Sequence, residues 1–140
     1  MNAPRKRFGQ NFLRDPRIIE GIAAAVAPRA GEHIVEIGPG RGAITECLAR
    51  SAAKLSLIEI DRDLAAALSA QPWWNDSIHL HQMDALKVHW AELSPQPLRI
   101  VGNLPYNIST PLLFRLLDAK AQIQDMHLML QKEVVDRLAA

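Results

Sequence analysis

Two stretches of this chain carry residue types whose spacing could do chemistry. The first is EIGPGRGA, Glu36 to Ala43. Gly38, Gly40 and Gly42 would let a backbone turn tightly and come close to a ligand. The segment also satisfies G-x-G-x-x-A, a weak pattern by itself. Counting on from Gly38, Glu59 falls about 20 residues later, where an acid at a second strand end can hold ribose hydroxyls. A third acid, Asp84, follows a further apolar run and suits the amino group of an adenine. Both NAD and S-adenosyl-L-methionine carry an adenosine, so both remain candidates. Two acids favour the second. Glu36, just ahead of the loop, tolerates a sulfonium and an ammonium better than a pyrophosphate, and Asp84 is the other. Asp61 and Asp63 are expected to begin a helix, near its positive dipole end.

The second stretch is LRIVGNLPYNIST, Leu98 to Thr110. An apolar run stops at a carboxamide, a proline and a phenol. Asn and Pro are turn residues, so a plain strand terminator is one reading. The chemical reading concerns an exocyclic base amine, whose lone pair is delocalised into its ring. Methyl transfer from a sulfonium needs that amine positioned and its lone pair localised. The Asn103 side-chain oxygen and the Leu104 carbonyl would accept its two hydrogens. Pro105 has no N–H to compete, and Tyr106 could stack on the base.

These stretches need elements to hold them. Asp15-Pro16 reads as an N-cap and first helical position, opening a helix with Ile18, Ile19, Ile22 and Val26 on one stripe, closed by Pro28 and Gly31. Strands are expected at HIVEIG, LSLIEI, Ile78 to Gln82, LRIVG and MHLMLQ. Helices are expected at ITECLARSA, DRDLAAALSA and PLLFRLLDA, the last capped by Ser109 or Thr110 and opened by Pro111, with KEVVDRLAA beginning another. Strands alternating with helices imply an α/β, doubly wound parallel sheet. With strand order 3-2-1-4-5, the switch point lies between the first and fourth strands, which sets the glycine loop beside Asn103.

The bulk composition bounds the alternatives. The chain has 140 residues, 49% hydrophobic and 22% charged, with a net charge of +1. That is a single-domain length. No apolar run approaches the ~20 residues of a membrane helix, and the basic start MNAPRKRFGQNF lacks the apolar centre of a signal peptide. A lone cysteine, Cys47, allows no internal disulfide and fits a reducing compartment, so the expectation is a cytoplasmic protein with no membrane partner. Arg5, Lys6, Arg7, Arg14 and Arg17 gather near the start, either as a solvated arm or as an RNA contact. His79 and His81 share a strand face without partners at metal-ligand spacing, so no metal is expected. Cys47 is expected to be a small core residue, and Trp73-Trp74 to pack on the sheet edge in preference to forming an RNA platform.

The motifs RKRFGQNFLRD, VEIGPGRGAIT, IEIDRDL, VGNLPYNIST and MLQKEVVDRL, in this order, resemble the bacterial KsgA family, the small-subunit ribosomal RNA adenine N6,N6-dimethyltransferases. The resemblance spans nearly the whole chain and implies a Rossmann-like class I methyltransferase fold of seven strands. It also implies S-adenosyl-L-methionine as methyl donor, with Asn11 and Leu13 lining its pocket. Gly38, with Gly40 in the same loop, would meet the methionine part, Glu59 the ribose, Asp84 the adenine and Asn103, counted among the donor-binding residues as well, the reacting amine. The implied product is a pair of adjacent dimethyladenosines near the 3′ end of the small-subunit RNA, formed during ribosome assembly by a monomer. The macrolide-resistance methyltransferases of large-subunit RNA are close relatives and stay open, as does a non-catalytic RNA-binding assembly factor that retains the donor pocket. The family continues with two more strands and a small helical domain. Residues 1–140 are therefore expected to be the N-terminal part of a catalytic domain, truncated after the fifth strand, with donor binding retained and turnover in doubt.

Overall fold

The computed structural model describes residues 14–51, 53–104 and 107–129. Five parallel strands lie in the order β3-β2-β1-β4-β5: β1 (His33–Ile37), β2 (Lys54–Glu59), β3 (Ile78–Gln82), β4 (Leu98–Asn103) and β5 (Ile123–Met129). The helices are α1 (Pro16–Val26), α2 (Ala43–Ala49), α3 (Arg62–Ser69), α4 (Trp90–Leu93) and α5 (Ser109–Asp118). This is the doubly wound order expected from the alternation of elements.

Every residue of β1 is buried, as befits a central parallel strand covered on both faces. The period of two sorts its neighbours into two cores. Val35 and Ile37 join Ile58, Ile100, Trp90, Leu112 and Leu116 beneath α4 and α5. Ile34 joins Leu55, Leu57, Val101, Val26, Ile44, Leu48 and Leu68 beneath α1 to α3. Each fully buried side chain of this size contributes ~1.5–3 kcal/mol.

Local chemistry starts the helices as anticipated at two places. The Asp15 Oδ1 accepts from the Arg17 N–H at 2.9 Å, with Pro16 in the first turn. The Asp61 Oδ1 accepts from the N–H groups of Asp63 and Leu64 at 2.9 and 3.1 Å. Elsewhere the structure departs from expectation. The α1 stripe docks through its C-terminal half: Val26 is buried and Ile22 packs partly buried on the core, whereas Ile18 is 45% exposed. That helix closes on Ala27 in the left-handed region, ahead of Pro28, before Gly31 is reached. The last described helix begins at Ser109 with no side-chain cap, so Pro111 is its third residue instead of its first. Proline is tolerated there because first-turn N–H groups have no intrahelical acceptor. The link from β3 to β4, unassigned from sequence, holds a 3-10 turn (Ala85–Lys87) and the short α4, whose Trp90 enters the core.

Two polar clusters, one partly and one fully buried, tie the lower end of the sheet. Arg99, on β4, places Nη1 2.9 Å from Glu32 and both Nε and Nη2 against Asp125 of β5, at 3.0 and 2.9 Å. Its guanidinium holds the Asp125 carboxyl below the usual carboxylate range. The clamp spans the register shift at Leu98/Arg99, where β4 and β5 lose strict pairing. The second cluster is His33, whose Nε2 lies 2.7 Å from the Ser56 Oγ. Burial, with Lys54, His79 and His81 adding repulsion, lowers its pKa to about 4.

A buried neutral histidine makes stability pH-dependent. The folded value lies below the ordinary 6.5, so the contribution of His33 is complete above pH 6.5 and is lost as pH falls toward 4. Urea melts of wild type and His33→Asn across that window should show the wild-type advantage shrinking by about 2–3 kcal/mol. A constant difference would mean that folding does not lower the His33 pKa.

Candidate functional site

Parallel pairing brings four strand ends to one rim. Ile37 is paired with Ile58 on one side and Gly102 on the other, so the residues that follow β1 and β4 emerge side by side. Glu59 is paired with Gln82, and the Met83 N–H donates to the Glu59 carbonyl at 3.1 Å. Across the rim the order is therefore Asp84, Glu59, the glycine loop and Asn103. Residues as far apart in sequence as Gly38 and Asn103 become neighbours through strand order alone.

The loop turns through left-handed backbone at Gly38 (φ 66°), Gly40 (φ 60°) and Gly42 (φ 86°). It is tied down by Gly38 N–H to the Ile58 carbonyl and Gly42 N–H to the Pro39 carbonyl, both at 2.9 Å. At Gly42 there is a second constraint: a Cβ would lie 2.6 Å from Cζ2 of Trp73. Trp73 and Trp74, expected at the sheet edge, pack on the α1–α3 core, with Trp73 against the glycine loop.

Glu59 is 3% exposed. Its Oε1 accepts from the Gly40 N–H at 3.1 Å and its Oε2 from the Asp61 N–H at 2.9 Å. Burial raises its pKa, while these backbone bonds oppose the rise. The acid at the second strand end thus braces the glycine loop from below. Asp84 is half-buried, and its Oδ1 accepts from the Leu86 N–H at 2.9 Å, capping the 3-10 turn.

Glu36 sits deeper than its sequence position implied. It is 2% exposed, and its Oε1 accepts from the hydroxyl of Thr45 on α2. Burial pushes its carboxyl up to about 7, with the charge of Glu59 adding to the effect and the Thr45 bond opposing it. Its linkage has the opposite sign to that of His33. Stability is complete below the ordinary 4.5 and is lost as pH rises toward 7.

Asn103 is the last residue of β4, half-buried and paired with Met129. Leu104 holds the turn in place: its side chain is 2% exposed within the core, and its N–H donates to the Met129 carbonyl at 3.0 Å. The preceding glycine has a role that sequence reading did not assign. A Cβ on Gly102 would lie 3.0 Å from the Ile37 carbonyl, so this residue lets β4 approach β1 just below Asn103. Ile60 was also missed. Counted within an apolar strand, it lies beyond β2, 42% exposed, between the buried acids Glu59 and Asp61. The signal was its place after the acid, masked by the apolar run before it.

Asn11, Leu13, Pro105 and Tyr106 lie outside the described residues, as do Arg5, Lys6, Arg7 and the helix expected at KEVVDRLAA. Cys47 is half-buried, not a core residue, because α2 turns Ile44, Thr45 and Leu48 inward. Among the described residues, no group of His, Cys, Asp or Glu is placed to hold a metal ion, and no helix is long and apolar enough to cross a membrane.

The class these features define is a Rossmann-like methyltransferase fold. The structure superposes on the crystal structure of the 23S rRNA methyltransferase ErmE with a TM-score of 0.78 at 32% identity, covering 89% of this chain and 49% of that one. It superposes on a dimethyladenosine transferase from Plasmodium falciparum with a TM-score of 0.79 at 28% identity, covering 93% and 46%. The chain belongs to the ribosomal RNA adenine dimethylase family, whose profile matches residues 1–140. It is 56% identical over 139 residues to the ribosomal RNA small subunit methyltransferase A of Yersinia pestis (strain Pestoides F), covering 97% of this chain and 51% of that protein. The chain thus spans about half the length of the curated relatives it matches.

Proposed function

We propose that this chain is the donor-binding, N-terminal part of the catalytic domain of a small-subunit ribosomal RNA adenine dimethyltransferase. In this reading it takes methyl groups from S-adenosyl-L-methionine to the N6 amines of two adjacent adenosines near the 3′ end of the RNA. It acts in the cytoplasm on assembling small subunits, as a single copy, since one chain carries the loop, the acids and Asn103 together. The observation that carries this reading is the order along the rim: Asp84, Glu59, glycine loop, Asn103. It matches adenine, ribose, methionine and target amine in sequence.

The residues present fit such a donor. Three left-handed glycines leave backbone without side chains where the loop would meet it. Glu59 and Asp84 offer carboxylates for hydroxyls and an amino group, and the exposed Ile60 offers an apolar wall beside them. Asn11 and Leu13 complete the pocket in this assignment. Bound there, S-adenosyl-L-methionine supplies an electrophilic methyl group on a sulfonium.

The protein's part is placement. The Asn103 Oδ1 and the Leu104 carbonyl accept the two amine hydrogens, turning the nitrogen lone pair out of the ring system and toward the methyl. Leu104 can hold that position because its side chain and its N–H are both anchored. Pro105 brings no competing N–H, and Tyr106 stacks on the base. The proton leaves after the methyl arrives, when the nitrogen has become acidic, so no strong base is required.

Calorimetry tests the donor assignment. Glu59→Ala should weaken S-adenosyl-L-methionine by ~1.5–3 kcal/mol, roughly 10- to 100-fold. Tight NAD binding without S-adenosyl-L-methionine binding would overturn it. The likeness to ErmE keeps a large-subunit target as the second reading. Labelled methyl transfer to immature small subunits and to large-subunit RNA, with the chain extended to its relatives' length, separates the two. Binding of donor and subunit without transfer would instead identify an assembly factor.

A further inference from the structure

The buried acid ahead of the glycine loop has a use beyond bracing α2. We propose that the Glu36 carboxyl, bonded to Thr45 and lying beside Glu59, gives up its proton when the cationic donor binds and regains it with the uncharged product. It would thereby discriminate the sulfonium from the thioether. This rests on the S-adenosyl-L-methionine reading above.

The placement supports it. Glu36 lies on the central strand, two residues before the first loop glycine, with Leu57 and Val101 as its strand partners. From α2, Ile44, Thr45 and Leu48 are turned into the same layer. These neighbours are apolar or neutral. Among the described residues, the ionisable group that acts on Glu36 is Glu59, and its charge opposes ionisation. A carboxyl in such surroundings is poised between its two states near neutrality. A positive charge arriving at the loop favours the ionised state, because low local polarity screens it poorly. Donor and product differ at this point by one positive charge on sulfur. The balance is simple: the carboxylic acid becomes a carboxylate, the proton goes to solvent, and the reverse occurs when thioether replaces sulfonium.

The sign follows from linkage. A ligand that favours the deprotonated form binds tighter as pH rises through the titration of the free protein. Relative to Glu36→Gln, donor affinity should therefore rise between pH 6 and 8, while product affinity shows no such relative change.

Calorimetry at pH 7 in buffers of different ionisation enthalpy measures the protons directly. The donor's own amine titrates in this range, so the measured quantity is the difference between wild type and Glu36→Gln. With the extended chain, the wild type should release about half a proton more per donor bound than the variant. No such excess should accompany S-adenosyl-L-homocysteine. At pH 8 the ratio of donor to product affinity should fall about tenfold in Glu36→Gln, equivalent to one unit of pKa coupling. Equal proton release by wild type and variant overturns the inference. Thr45→Val gives an independent arm: losing the hydroxyl that favours the ionised form should move the midpoint of proton release to higher pH, and an unmoved midpoint overturns the inference even if the glutamine variant fails to fold. Donor binding without proton release sinks this inference alone. Failure to bind donor at all sinks the donor reading and takes this with it.

Discussion

Asn103→Ala is expected to lower single-turnover methylation by about 10²–10³-fold, or ~2.7–4 kcal/mol, while donor affinity stays near wild type. The magnitude is taken from the loss of one preorganised polar group aimed at a reacting centre. The separation of effects comes from position. Asn103 ends β4, across the switch point from Glu59, which together with the glycine loop is assigned to the donor. Its carboxamide is assigned to the amine, so its removal should appear in the chemical step at saturating RNA. The measurement is rapid-quench transfer of labelled methyl groups to immature small subunits, made on the chain extended to its relatives' length, with donor affinity followed by calorimetry. If Asn103→Ala transfers methyl groups at the parental rate, the segment is merely a strand terminator. If donor affinity falls in step with the rate, Asn103 belongs to the donor pocket instead.

Gly42→Ala should be a costly single-methyl change in the glycine loop. The residue has φ 86°, where an L side chain is strained, and the new Cβ would lie 2.6 Å from Trp73 and 3.0 Å from Leu68. Backbone strain costs ~1–3 kcal/mol and overpacking another ~1–3, so a loss of about 2–6 kcal/mol is expected. Gly31 supplies the control. It has nearly the same φ, 87°, but an added Cβ there would meet nothing within 4 Å, so Gly31→Ala should report strain alone. Denaturant melts of both variants isolate the contribution of Trp73. Trp73→Leu should partly restore Gly42→Ala by making room. Equal losses at Gly31 and Gly42 would show that the indole yields without cost, and that Trp73 places no demand on the loop.

These two variants mark how far the residues could be read before folding. Strand order was legible because an alternation of buried apolar runs and helical stripes admits few right-handed arrangements. That order alone brought Gly38 to Asn103. Asp15 and Asp61 could be assigned as caps because a capping carboxylate acts within three residues. The acid at the end of β2 was legible in the same way, since its place after the glycine loop is a matter of chain length. The short α4 and the start of α5 were not, for their limits depend on what the core accepts from Trp90 and Leu112.

What the linear chain could not express is contact between residues distant along it. Nothing in EIGPGRGA says that Gly42 faces an indole thirty-one positions on, or that Glu36 turns away from solvent to meet Thr45. Nothing in LRIVGN says that Gly102 is there to admit the carbonyl of Ile37. Residue type and spacing determine which groups are available, because propensity, capping and periodicity act over a few residues. Burial and the company each group keeps arise only when the strands are laid side by side. Burial sets the protonation of Glu36 and His33, because desolvation belongs to the packed sheet and not to any segment of it.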